Sequence, residues 1–206
     1  TNEIELKNIQ KIVGEDVPYQ IAGNISAIKV QETELNKDTG KVKLVFFSRV
    51  APKKNIDYFL DILAEIEHAG VTLDIYGPIE EDAYWNECKS KIDQNGLNVN
   101  YKGALHPSEV VAHLREYHFF VLPTLHENFG HVVVEAMTAG CGLLMSDQTP
   151  WRNLSEENVG WDIPLSNKDL WKTVANEIIN MDNDTYSRLR KNVYRYLSEK
   201  VDDSKD

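Results

Sequence analysis

Between Val42 and Ser146 the chain alternates short apolar runs with segments of helical periodicity, and this alternation limits the possible folds more than any other feature. Val42–Phe47 is apolar except for Lys43 and is bounded by Gly40 and by Ser48-Arg49. Such a run fits a strand covered on both faces. Ile56, Phe59, Leu60, Leu63 and Ile66 follow at helical spacing, with Asn55 as the expected N-cap and Gly70 beyond the end. The unit then recurs. Val71–Tyr76 reads as a strand closed by Gly77-Pro78, 80–94 as a polar helix stopped by Asn95-Gly96, and 99–101 as a short strand ending at Gly103. A helix over 107–116, a strand Phe119–Leu122 ending at Pro123, a helix over 130–139 and a strand Gly142–Ser146 complete the alternation. Two amphipathic helices are predicted near 168–180 and 185–200, the first with Leu170, Val174 and Ile178 on one face behind an Asn167 cap. This pattern predicts βαβ units, hence an α/β domain of three layers built on a parallel sheet. The domain is assigned to residues 41–206. Residues 1–40 read as a mixed, polar lead-in, with a hint of a short helix at Ile4, Leu6, Ile9 and Ile12 and turn signals at Gly23-Asn24 and Asp38-Thr39-Gly40.

Composition narrows the partners. Lys and Arg number 22 against 33 Asp and Glu, a formal net charge of −11, so a nucleic acid or an anionic membrane would be repelled overall. A small anion in a locally basic pocket is still compatible with that balance. Two cysteines, Cys88 and Cys141, make neither a disulfide framework nor a Cys-rich zinc site and read as small apolar residues. The start at Thr1, without Met, leads us to expect a piece of something longer. The first residues show no signal-peptide pattern, no apolar run approaches a membrane span, and the sequons at Asn24, Asn153 and Asn183 read as chance, so a cytoplasmic location is expected.

In an open α/β sheet ligands bind beyond the carboxyl ends of the strands. The predicted ends are chemically uneven. The first carries Arg49, Lys53 and Lys54, suited to phosphate oxygens but equally compatible with a solvated surface cluster. The fourth carries His126-Glu127-Asn128-Phe129-Gly130 and leads into an apolar helix that contains Glu135. Free amides at a helix start, with the macrodipole, favour a diphosphate or sugar oxygens, and Gly130 permits close approach. A carboxylate within an apolar helix costs desolvation unless it is paired or faces a ligand, so Glu135 is either a structural ion pair or a hydroxyl-binding group. Glu127 is either a solvated cap or a ligand contact.

His126-Glu127 with His131 imitates a zinc-protease signature, but the histidines are five apart rather than four and Gly130 intervenes, so no metal site is assigned. His68, His106, His113 and His118 read as surface or cap residues. Trp85, Trp151, Trp161 and Trp171 read as packing residues.

Taken together, Glu127-Asn128-Phe129-Gly130, Glu135-Ala136-Met137 and Gly140 resemble the Glu-x7-Glu motif of the family 4 glycosyltransferases, the large retaining GT-B family. Phe46-Phe47-Ser48-Arg49-Val50 followed by Lys54 resembles that family's strand and loop with Arg and Lys five residues apart. Tyr76-Gly77-Pro78, Gly103 with Leu105, and Leu122-Pro123-Thr124 fall between them in the expected order. The likeness spans roughly residues 40–180, and residues 1–26 resemble the stretch leading out of the family's first domain. It implies a Rossmann-like domain that is the C-terminal, donor-binding half of a two-domain enzyme. It implies that Arg49 and Lys54 hold the donor diphosphate in place of a metal, that Glu127 contacts the transferred sugar, and that Glu135 binds the ribose hydroxyls. Backbone amides of Asn128, Phe129 and Gly130 would hold sugar and phosphate oxygens, and the base would lie near Gly103 and Leu105, with Gly77 among the donor-binding residues. The donor is a nucleotide diphosphate sugar, no further cofactor is implied, and the partners are the missing N-terminal domain and an acceptor the sequence does not name. Through that missing domain the enzyme is expected to reach the inner membrane face, in polysaccharide or glycoconjugate synthesis. Ser48, Asn55, Ile79 and Gly142 depart from the family pattern, and the loop after Pro150 lacks its customary Glu. The alternatives are a GT-B nucleotide-sugar epimerase and a non-catalytic nucleotide-binding module.

Overall fold

A computed structural model describes residues 31–67 and 69–203. The readings placed on residues 1–26, and His68, lie outside the described residues. Six parallel strands form one sheet in the order β3-β2-β1-β4-β5-β6. They are β1 (Val42–Phe47), β2 (Val71–Tyr76), β3 (Val99–Gly103), β4 (Phe119–Leu122), β5 (Gly142–Ser146) and β6 (Gly160–Ile163). The helices are α1 (Ile56–Ala64), α2 (Asp82–Asn95), α3 (Val110–Leu114), α4 (His131–Thr138), α5 (Lys168–Asn180) and α6 (Asn183–Asp203). Helix α1 packs with α2 and α5, and α4 packs with α3 and α6, which gives a helical layer on each side of the sheet. This is the Rossmann-like three-layer architecture.

The apolar runs became the inner strands for the reason their composition suggests. In β4 and β5 every residue is buried, and β1 exposes only Lys43 and part of Phe47. In α1, Ile56, Phe59, Leu60 and Leu63 recur at one face and are buried against the sheet. The helix ends at Ala64, before Ile66. Asn167 caps α5 by accepting from the Leu170 amide at 3.1 Å. The buried face of that helix turns on Trp171, Val174 and Ile178, whereas Leu170 is exposed. The segment expected as one helix over 107–116 is a single 3₁₀ turn, Pro107–Glu109, followed by α3, with His106 and Glu109 forming a capping box. Strand β6 was not expected. Its four residues include a glycine and an aspartate, so no apolar run marks it.

Residues 33–40 are bonded into the domain. The ammonium of Lys37 is buried and donates to the carbonyls of Ile179 (3.0 Å) and Met181 (2.8 Å), capping the end of α5. Arg190 of α6 is buried and donates to the carbonyls of Thr33, Ala139 and Gly140 and to the hydroxyls of Thr33 and Tyr186, all between 2.8 and 3.0 Å. Cys88 and Cys141 are buried thiols, pushed up by burial to about 11 and about 12.

His118 is buried rather than superficial. Its Nδ1 accepts from the Lys43 amide at 2.9 Å, which leaves Nε2 to donate to the Asn36 carbonyl at 3.0 Å. Burial, with Lys37, Lys43 and Arg190 nearby, lowers its pKa below 6.5. The unfolded chain therefore takes up a proton below about pH 6.5 that the folded chain refuses, so stability falls with pH in that window. Thermal melts from pH 7.5 to 5.5 are expected to show a declining midpoint that is flatter in His118→Gln.

Candidate functional site

The sheet order reverses between β1 and β4, and the carboxyl ends of strands at such a switch point are where an open α/β sheet binds ligands. Chain leaving β1 passes Ser48 and Arg49 and forms a 3₁₀ turn, Pro52–Lys54. Chain leaving β4 runs through Thr124 to Gly130. The two loops are bonded across the switch point. The Lys53 carbonyl accepts from the Leu125 amide (2.9 Å) and from the Thr124 hydroxyl (3.1 Å). Asn55 adopts the left-handed backbone; its amide closes the 3₁₀ turn onto the Pro52 carbonyl at 3.1 Å, but its side chain makes no cap bond to α1. Its side chain donates to the Pro123 carbonyl at 3.0 Å instead.

That stitching brings Lys54 to Glu127, 73 residues away in sequence, with Nζ to Oε2 at 2.5 Å. Both side chains are largely buried, 10% and 15% exposed, so the pair sits in a lowered dielectric. Glu127 is fixed further by its amide, which donates to the Gln148 carbonyl beyond β5 at 2.9 Å, and its Oε1 accepts from the Asn128 amide at 3.1 Å. Trp151 packs at a tilt against the Phe129 ring and donates from its indole to the Phe129 carbonyl at 2.6 Å. Loops after β1, β4 and β5 thus form one wall.

Gly130 precedes α4 with φ +76°, and an added Cβ would lie 3.1 Å from Glu127 Cγ, so glycine suits both the turn and the closeness of Glu127. Glu135 lies on α4 and is half-buried. Burial raises its pKa, which His131 partly offsets, and among the described residues its carboxylate makes no hydrogen bond or ion pair. An unpartnered, partly desolvated carboxylate is poised to accept from ligand hydroxyls.

Arg49 stands at the end of β1 with its guanidinium half exposed and bonded to Glu80. Gly77, at the end of β2 with φ +130°, would place a Cβ 1.9 Å from the Ser48 carbonyl oxygen, so only glycine lets the two loops meet. Gly103 ends β3 in the left-handed region with open space beside it. Its carbonyl accepts from the Gly77 amide at 2.9 Å, and Leu105 packs against the core beyond it. Lys54, Glu127, Asn128, Phe129 and Gly130 are in direct contact or adjacent across the switch point, and Gly77 and Gly103 are bonded at the neighbouring strand ends. Arg49 joins the two groups through the β1 loop, whereas no hydrogen bond or ion pair among the described residues ties Glu135, on α4, to either of them. The sequence reading does not assign Glu80 or Gln148 to the site and takes Trp151 as a packing residue; the contacts that bring them here, to Arg49, Glu127 and Phe129, are long-range.

His126 Nε2 meets Asn128 Oδ1 at 2.7 Å and His131 packs on the Phe129 ring, so the two histidines do not share a ligand. Among the described residues no group of His, Cys, Asp and Glu is placed to hold a metal ion. Nor is any described helix long and apolar enough to cross a membrane.

The chain is similar to known proteins in sequence and in fold. The chain is 30% identical over 115 residues, 53% of its length, to a GDP-mannose:cellobiosyl-diphosphopolyprenol alpha-mannosyltransferase of Xanthomonas oryzae. It spans only 30% to 37% of the curated relatives it matches. Two solved structures share the fold at 18% identity. One is the C-terminal domain of a glycosyl transferase group 1 family protein, LpcC, from Francisella tularensis (TM-score 0.68, 78% of this chain and 86% of that one). The other is Anabaena Alr3699/HepE in complex with UDP and glucose (TM-score 0.66, 98% and 49%). A family model described as glycosyl transferases group 1 matches residues 28–196, most of the chain, and the chain belongs to that family.

Proposed function

We propose that this chain is the C-terminal, donor-binding domain of a retaining family 4 glycosyltransferase. It would move a hexose from a nucleotide diphosphate sugar to an acceptor in polysaccharide or glycoconjugate synthesis. The reading rests above all on the Lys54–Glu127 pair at the topological switch point, with Gly130 and α4 beside it. The mannosyltransferase relative and the UDP-bound structural neighbour support a nucleotide-sugar partner.

In this mechanism Arg49 and Lys54 bind the diphosphate and neutralise the charge that develops as the nucleoside diphosphate departs, so no metal is assigned to that task. Glu127, oriented by Lys54, accepts from hydroxyls of the transferred sugar. Amides of Asn128, Phe129 and Gly130 donate to sugar or phosphate oxygens. Glu135 accepts from the ribose hydroxyls, and the base lies near Gly103 and Leu105. The acceptor and its activating groups belong to an N-terminal domain, and the domain alone is inactive as a transferase. The enzyme would work in the cytoplasm, reaching the inner membrane face through that other domain.

Calorimetric titration of UDP and GDP tests the donor site. Glu135→Ala, Arg49→Ala and Lys54→Ala are each expected to weaken binding about tenfold or more, in line with charged hydrogen bonds of about 1.5–3 kcal/mol. Binding equal to wild type in all three variants rules the reading out. Free sugar or an epimer as the product would favour epimerase chemistry.

A further inference from the structure

Arg49, proposed above to bind diphosphate, is already engaged: its Nη1 donates to Oε1 of Glu80. The carboxylate is there because the loops after β1 and β2 are zipped together. Val50 pairs with Ile79 in a parallel bridge, the Val50 amide donates to the Pro78 carbonyl at 2.9 Å, and the Glu80 amide donates to the Val50 carbonyl at 3.1 Å. Gly77 makes the approach possible. The two side chains are 55% and 43% exposed, so the pair adds little to folding stability. Its position at the strand ends gives it a different use.

We infer that Glu80 is an internal competitor for Arg49: it holds the guanidinium in the empty site, yields it to the diphosphate, and reclaims it as the nucleoside diphosphate leaves. The inference rests on the donor-site reading. A guanidinium presents a planar fork that a diphosphate, with more charge and more acceptor oxygens than one carboxylate, can engage in two places. A phosphate oxygen that takes the Nη1 hydrogen now bonded to Glu80 has to displace that carboxylate. This competition weakens donor and product alike, so Glu80 acts on ligand affinity and product release rather than on the chemical step. Glu81 supplies a matched comparison. It is exposed, one residue away, and its side chain makes no hydrogen bond or ion pair among the described residues.

The test is titration of UDP and GDP into this chain as wild type, Glu80→Gln, Glu81→Gln, Arg49→Ala and the Arg49→Ala/Glu80→Gln double variant. Glu80→Gln is expected to bind both nucleotides about fivefold tighter than wild type, near 1 kcal/mol at 1.36 kcal/mol per tenfold. Glu81→Gln stays within about twofold of wild type, and the double variant binds no tighter than Arg49→Ala, because the coupling needs both partners. The proposal fails if Glu80→Gln binds like wild type or more weakly, if Glu81→Gln tightens binding equally, or if the gain persists without Arg49. Wild-type chain that binds neither nucleotide would end the donor-site reading and this proposal with it. Wild-type binding with an unmoved Glu80→Gln would end this proposal alone.

Discussion

Replacing Lys54 with alanine in the proposed two-domain enzyme is expected to slow sugar transfer by about 10²–10³-fold, the usual cost of losing one preorganised charge at a leaving group. Two effects act together. The ammonium no longer meets the departing diphosphate, and Glu127 loses the partner that fixes it at 2.5 Å in a largely buried position. A buried carboxylate without its cation is held less firmly. Lys54→Ala is therefore expected to lower kcat more than it raises the KM for donor. Steady-state assays, with thermal melts to confirm folding, check this. A variant that changes KM alone would assign Lys54 to binding only.

Arg190→Met is expected to give the largest loss of stability, about 3–4 kcal/mol. The guanidinium serves three main-chain carbonyls and two hydroxyls in a site that is almost fully buried. Methionine retains the volume but none of the donors. Each orphaned carbonyl costs about 1–3 kcal/mol, less what entering water recovers. For a domain of this size the melting midpoint is expected to fall by roughly 10 °C. Arg190→Lys should recover only part of it, since one ammonium cannot span Thr33, Ala139 and Gly140. Chemical denaturation with a constant slope would establish that the folded state is what changed.

These two residues also mark what the sequence could and could not disclose. The inner strands were legible because buried parallel strands are nearly continuous in apolar residues, as Val42–Phe47 and Phe119–Leu122 are. The strand ends, and with them Arg49, Lys54 and Glu127, followed from that reading. Strand β6 was hidden because Gly160 and Asp162 break the pattern. Asp162 is in the strand because it accepts from the Asn153 and Leu154 amides of the preceding loop. Arg190 left a signal that could have been used: it falls four residues after Tyr186 and four before Tyr194, on the apolar face of α6. Asn55 has the residue type of a cap, yet a carbonyl 68 residues away claims its side chain. Glu80 left no signal, since its partner is fixed by a loop contact that no local pattern encodes.

The strand order has a consequence for assembly. Strands β1, β2 and β3 are neighbours in both sequence and sheet, so a nascent chain can pair them as they emerge. The site cannot form then, because its second wall lies beyond β4, where Leu44 must find Phe119 across 75 residues. High contact order of this kind slows folding and leaves the open edge of β1 unpaired meanwhile. Synthesis halted before the Thr124–Gly130 loop would yield four of the six strands, with Arg49 already beside Glu80 and Lys54 still without the carboxylate of Glu127.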